Sequence, residues 1–320
     1  TSTAKYGAAA HPTTSWNGTT KVGSSADPIY LLNLRSVSGT VTLKANWTAV
    51  NVTLPNLTKT GYQCKFNTSD DGTGTNYASG ASYTPSTTTN SATLYVICTP
   101  NKYNIAYTLN GGTQGANSPT TGTYDQNVVI SNPTKTVTIT GNVNGTGATV
   151  GNPTSSTQTF AGWSSTTLGS NAKTGANANS FVTWNGTTQT QNTYFKNLTD
   201  TSNGTVTMVA NWTPVAVTLP IIEKTGYTCG YATTQNGNIT YNSGASYTPS
   251  ATASSIALYA KCNPRTYTVT AKANGGSISS TTGWTGTGNT STKSVTYDQA
   301  YGTLPTISRS GYTFKGWNGK

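Results

Sequence analysis

The chain repeats itself. SGTVTLKANWT at residues 38–48 returns as NGTVTMVANWT at 203–213, an offset of 165. The phase then holds at 164: ASGASYTPS at 78–86 answers NSGASYTPS at 242–250, LYVICTPNKY at 94–103 answers LYAKCNPRTY at 258–267, and AYTLNGGT at 106–113 answers TAKANGGS at 270–277. TYDQ at 123–126 matches 296–299, and FAGW at 160–163 matches FKGW at 314–317. Such a duplication constrains the fold more than local propensity does, because both copies of a segment must suit the same structural unit. Punctuation inside the unit separates a large module from a small one. The boundaries expected are 1–48 as the later part of a large module, 49–101 small, 102–213 a complete large module, 214–265 small, and 266–320 the earlier part of a large module.

The modules read as β structure. TVTLKANW places Val41, Leu43, Ala45 and Trp47 on one face, and YTVTAKA does the same with Tyr267, Val269, Ala271 and Ala273. The NGG triplets at 110–112 and 274–276 supply residues that tolerate positive φ in tight turns. No stretch has the pattern of a long amphipathic helix.

Composition tells how thickly such modules are cored. Only 33% of the 320 residues are hydrophobic and 8% charged, a mixture foreign to a cytosolic enzyme. Yet the 7 Trp, 19 Tyr and 5 Phe recur at fixed places in the repeat, whereas disordered tracts are poor in aromatics. Many small cores under polar loops are therefore expected. The formal charge of +11 stems more from missing acids, Glu223 being the only Glu, than from basic runs. It suits attraction to polyanions such as acidic polysaccharide or a bacterial envelope, and without a Lys/Arg cluster it does not point to specific nucleic-acid binding. No apolar run reaches membrane-spanning length, so no membrane insertion is expected. With no initiator Met, signal peptide or wall-anchoring tail, a processed chain or an excerpt is expected. The opening AKYGAAAHPTTSWNGTT aligns with 172–188 and the closing FKGWNGK with 160–166, so copies set head to tail would continue the repeat almost without a break.

YTVTAKANGGSISS, followed by SVTYDQAYGTLPTISRSGYTFKGW at 294–317, resembles the Listeria–Bacteroides repeat, also called the internalin B repeat. That pattern runs from an opening strand with an NGG turn through TLP and GYTFxGW to a closing strand of the LYAxW form. Residues 266–317 match closely. Residues 102–213 match more loosely, with the TLP segment replaced by SNPTKTVTITGNVNGTGATVGNPTSS, and the small modules keep VTLP and KTGY but lack the NGG strand. The resemblance implies mainly β architecture: tandem small β-grasp-like modules arranged as an elongated fibre on the bacterial surface, without catalytic activity.

Set against that pattern, Cys64 and Cys229 stand where Phe314 stands in GYTF. Cys98 and Cys262 stand where Trp47 and Trp212 close the final strand. Modules of about fifty residues bury too little to stand alone, and small extracellular domains meet that shortage with disulfides. The resemblance thus implies Cys64–Cys98 and Cys229–Cys262 bridges in place of an aromatic contact, in an oxidising extracellular compartment. Free thiols or a zinc site are the alternatives, though CxxC spacing is absent. By the same pattern Trp47, Phe160, Trp163, Trp212, Phe314 and Trp317 are expected in the structural core.

Groups that carry chemistry are sparse. His11 is the only His, and the matching position holds Asn179, which suits an exposed loop. Asp125 and Asp298 each follow Tyr and read as turn formers, and Asp70, Asp71 and Gly72 as a turn in preference to a calcium loop. The sequons at Asn46, Asn51, Asn56, Asn197 and Asn211 are expected by chance in so Thr-rich a chain. No catalytic residue, cofactor or metal is expected. The function expected is a structural repeat region of a long extracellular bacterial fibre whose partner is itself, head to tail. The alternative is an adhesin stalk that binds glycans or anionic envelope polymers.

Overall fold

The computed structural model describes residues 4–7, 14–16, 30–143, 147–189 and 192–319; Thr1, His11 and Lys320 lie outside them. Among the described residues all regular structure is strand, with no helix. The chain divides into two compact units, Thr1–Thr99 and Pro100–Lys320.

In the first unit, Lys5–Gly7 lies between Thr14–Ser15 and Tyr30–Leu32 in a three-stranded antiparallel sheet. After residues 33–51, which form no strand, comes a second three-stranded sheet. Its centre is β1 (Tyr62–Asn67), flanked by β2 (Asn76–Ala78) on one side and β3 (Tyr95–Pro100) on the other. A short ladder of Val52–Thr53 with Ser82–Tyr83 lies beside it.

The second unit opens with β4 (Lys102–Thr108) and β5 (Thr121–Thr123). β6 (Thr136–Val143) and β7 (Thr154–Thr157) follow, then β8 (Thr159–Ser164) and β9 (Thr205–Thr213). One sheet runs β5-β4-β9-β8, with a parallel pair β4 and β9 at its centre and antiparallel strands on both edges. The alternation read from TVTLKANW is realised in its match, β9, where Val206, Met208, Ala210 and Trp212 point inward. β8 carries a bulge between Phe160 and Gly162, which brings Trp163 into the core. The second sheet of this module orders Asn127–Val129, Tyr194–Lys196, Lys173–Asn177 and Ser180–Thr183. Val128, Trp184, Phe195 and Leu198 fill the space between the two sheets.

The segment that replaces TLP has a separate destination. β6 leaves the large module and pairs in parallel with β12 (Ser255–Pro264), Ile139 opposite Ile256, while β7 covers its outer edge. The resulting sheet, β7-β6-β12-β10-β11, includes β10 (Tyr227–Ala232) and β11 (Tyr241–Asn242). Thr149–Val150 also pairs with Ile222–Glu223. Residues 136–143 and 147–157 thus form an arm that completes the small core of 214–265. Ile139 is fully buried there beside Leu219, Tyr231 and Leu258, so a shared sheet crosses the boundary expected at 213/214.

The unit ends with β13 (Thr266–Lys272) paired with β14 (Thr290–Thr296), and with Ser277–Ile278 paired with Ile307–Ser308. Around them Ala271, Ala273, Ile278 and Trp284 make a small core.

The three GY stretches share one local structure. Gly61, Gly226 and Gly311 take φ of 76°, 79° and 78°. In each turn the following Tyr N–H donates to the carbonyl three residues back, Lys59, Lys224 or Arg309, at 3.0 to 3.1 Å. That cation lies 3.7 to 3.9 Å from the centre of the same Tyr ring. The glycine is required because a side chain is strained at such φ.

Candidate functional site

The chain presents one kind of core in two conditions. In 102–213 the aromatic set is closed. Trp212, 7% exposed, donates its indole N–H to the Leu109 carbonyl at 2.9 Å and meets Phe160 edge to face at 5.6 Å. Phe160 meets the fully buried Trp163 at 5.3 Å, and Tyr107 packs against that same indole at 5.6 Å.

The matching residues elsewhere are open. Trp47 is 74% exposed, with Val41 and Leu43 exposed beside it, and residues 40–48 form no strand although their match is β9. At the other end Phe314 and Trp317 keep the edge-to-face pair, 5.5 Å between centres, but Phe314 is 51% exposed, Tyr312 is exposed and Trp317 is half-buried. Residues 313–318, which match β8, form no strand either. The expectation that Trp47 and Phe314 sit in a core is corrected for this chain. The physical reason is pairing: β9 holds Trp212 inward because β4 and β8 flank it, and 40–48 has no such flanks among the described residues. Residues 266–296 conversely supply β13 and β14, the counterparts of β4 and β5, and leave the central parallel position beside β13 unfilled among the described residues. A cleft of about 610 Å³ lies there, lined by Ala273, Asn274, Phe314 and Trp317. Those residues match Leu109, Asn110, Phe160 and Trp163, among which Trp212 sits.

The other half of the module is also preserved in part. Lys5 opposes Ser15 and Leu32 as Lys173 opposes Thr183 and Lys196, and Trp16 N–H bonds the Ala4 carbonyl as Trp184 N–H bonds Ala172. The edge supplied in the closed module by Asn127–Val129 has no equivalent in that sheet among the described residues.

Both cysteine pairs are bonded. Cys64 in β1 joins Cys98 in β3, and Cys229 in β10 joins Cys262 directly opposite in β12, each with Cα atoms 4.1 Å apart. The two disulfides fit a non-reducing, extracellular environment. No helix among the described residues is long and apolar enough to cross a membrane.

Lys135 escaped the sequence reading. Its side chain is 2% exposed, and its ammonium donates to the carbonyls of Asn110 and Ala251 at 2.5 and 2.6 Å, 5.8 Å from the Trp212 ring. Burial lowers its pKa. It ties the NGG turn of the large module to the small module, at the root of the arm. Its only sequence signal was a Lys beside the run of alternating β-branched residues. In the open half, Arg309 donates to the matching turn carbonyl, that of Asn274.

The acids serve turns. Asp125 and Asp298 have φ of 62° and 63°. Asp125 N–H donates to the Asn197 side chain, whose amide donates back to Asp125, and Asp298 accepts from the Tyr227 hydroxyl. Asp71 accepts from the Ser69 hydroxyl and from the Thr73 hydroxyl and N–H, which hold its pKa down at about 2. Asp70 lies in the same exposed turn, and the Asn179 N–H bonds the side chain of Asn177. Asn211, one of the sequons, spends its amide on Gly162 and Ser164 inside the large module. Among the described residues no three His, Cys, Asp or Glu side chains gather as metal ligands would.

The chain matches no protein-family model, no curated protein and no solved structure. Its functional reading therefore rests on its own geometry: closed cores, and matching cores that stand open.

Proposed function

We propose that this chain is a structural repeat region of a long extracellular bacterial fibre, in which large and small β modules alternate and continue head to tail. The observation that carries the reading is the contrast between Trp212 and Trp47, 7% and 74% exposed at matching places in the repeat. Residues 266–317 of one copy have the cleft that a β9-like strand occupies, and residues 38–48 of the next have the pattern of β9. Joined, they make a second closed large module, with Trp47 seated between Ala273 and Phe314. An unpaired strand carrying inward apolar residues is driven into such a site by both backbone pairing and burial. The central parallel pair with antiparallel edges, β5-β4-β9-β8, supports reading the large module as β-grasp-like, in keeping with its resemblance to the Listeria–Bacteroides repeat. Modules stacked in one dimension give length from nearest-neighbour contacts alone.

Sedimentation of the purified chain over a range of concentrations tests this. Head-to-tail oligomers that Trp47→Ala abolishes are expected, and a chain that stays monomeric at every concentration contradicts the proposal. The exposure of Trp47 also favours a second reading, an adhesin stalk that grips glycans or anionic envelope polymers. That reading expects salt-dependent polymer binding that Trp47→Ala weakens, without self-association.

A further inference from the structure

The two small modules match along their length, with one residue fewer in the second, but only one is complete. In 214–265 the strand β12 is paired on both sides, by β10 and by the arm strand β6. In 49–99 its counterpart β3 is paired only by β1, and its other edge is open among the described residues. β12 has ten residues and β3 has six. The missing four, Ser91–Leu94 by alignment, correspond to Ser255–Leu258, and those are the residues that pair with Thr138–Gly141 of the arm. Where the arm is lacking, those four residues are unzipped.

Side-chain burial reports the same vacancy. Leu258 and Ala260 are 2% and 4% exposed under the arm, whereas the matching Leu94 is half-buried and Val96 is 51% exposed. The arm fills the core of 214–265 with Ile139 and brings Val150 against it. The corresponding place in 49–99 is an apolar groove of about 400 Å³, lined by Val52, Leu54, Phe66, Tyr83, Ala92 and Leu94.

We propose that this groove and the free edge leading into β3 accept an extended arm from a partner polypeptide, running parallel to Ser91–Val96, the counterparts of the residues that pair with β6. The chemistry of the occupant is set by the filled site: β-branched residues at alternate positions, an Ile opposite Ala92, and a Gly two residues later. The glycine is needed because a Cβ at Gly141 meets the Tyr231 ring at 2.9 Å, and Phe66 holds the matching place in the empty site. The chain's own arm is committed to β12, so the occupant comes from outside it. This is strand addition with backbone pairing for affinity and a side-chain pocket for selection, and it goes beyond head-to-tail continuation.

The probe is a synthetic peptide of residues 133–157, titrated into the intact chain carrying Trp47→Ala, which removes the association proposed above and keeps the two tests separate. Saturation at one peptide per chain is expected. Val96→Lys, at an exposed position where folding is untouched, places a charge beneath the incoming strand and weakens binding more than about tenfold. A peptide with Ile139→Lys or Gly141→Val fails to bind. The proposal is overturned by the absence of saturable binding, or by binding indifferent to Val96→Lys. It is also overturned if the peptide-free chain dimerises in a manner that Val96→Lys abolishes, since the edge then belongs to a second copy.

Discussion

Replacing Trp212 by Ala tests the closed core, and replacing Trp47 by Ala in the same background calibrates it. Trp212, 7% exposed, is 93% shielded. A Trp buries up to about 250 Å², worth about 6 kcal/mol at about 25 cal/mol per Å², an upper bound because the unfolded chain already shields some of it. The hydrogen bond to the Leu109 carbonyl and the edge-to-face contact with Phe160 add about 1 kcal/mol each. The side chain is thus anchored by both contacts, and collapse of the site offsets part of the loss. An overall cost of about 4 kcal/mol is expected, in the range of large-to-small aromatic core substitutions. Trp47→Ala in the dilute chain should stay within about 0.5 kcal/mol, as for other exposed positions. Unfolding of several modules is not one two-state transition. The assay is therefore urea-dependent hydrogen exchange read by mass spectrometry on peptides from 102–213 and from 30–48 separately. A cost below about 1 kcal/mol at Trp212, or equal costs at the two positions in the dilute chain, refutes the distinction between a closed and an open core.

Reduction should release 49–99 before 214–265: the bridges close similar loops, 34 and 33 residues apart and worth roughly 3 to 4 kcal/mol each, but only the second module keeps the arm. Peptide exchange with and without reductant checks the order. Stability of 102–265 should fall between about pH 10 and 12, because burial raises Tyr103, Tyr107 and Tyr231 to about 12 from 10.0; below pH 10 both folded and unfolded states hold the phenolic protons, and above it the unfolded state sheds them first. Thermal melts across that range check it, a flat profile being contrary. Lys135→Ala should cost about 2 kcal/mol by leaving the Asn110 and Ala251 carbonyls without their donor, and exchange at residues 249–258 should rise.

Much of this was legible because the repeat gave each segment a second reading. The alternation of TVTMVANW, the NGG turns and the cysteine pairs all have local signals, and the structure holds strands, positive φ and bridges there. The destination of SNPTKTVTITGNVNGTGATVGNPTSS was not legible. It was read only as a replacement for the TLP segment, and the partner of its strands, β12, lies over a hundred residues on; pairing at that range leaves no local trace. Lys135 was missed for the same reason, since its acceptors are backbone carbonyls brought together only by tertiary structure. The burial expected of Trp47 and Phe314 came from the pattern of a whole module, and the strand pairing that buries Trp212 in 102–213 is not made by 40–48 or 313–318 among the described residues.

The most direct test is a mixed sample of isotope-labelled and unlabelled chain, assembled and read for contacts between copies. The register of β9 on β4, Val206 opposite Ile105 and Met208 opposite Tyr107, transfers to a specific one. Val269 of one copy should lie opposite Val41 of the next, and Ala271 opposite Leu43, in a parallel pair, with the Trp47 indole against Phe314. Residues 40–48 still unpaired in the assembly, or paired in another register, contradict the head-to-tail account.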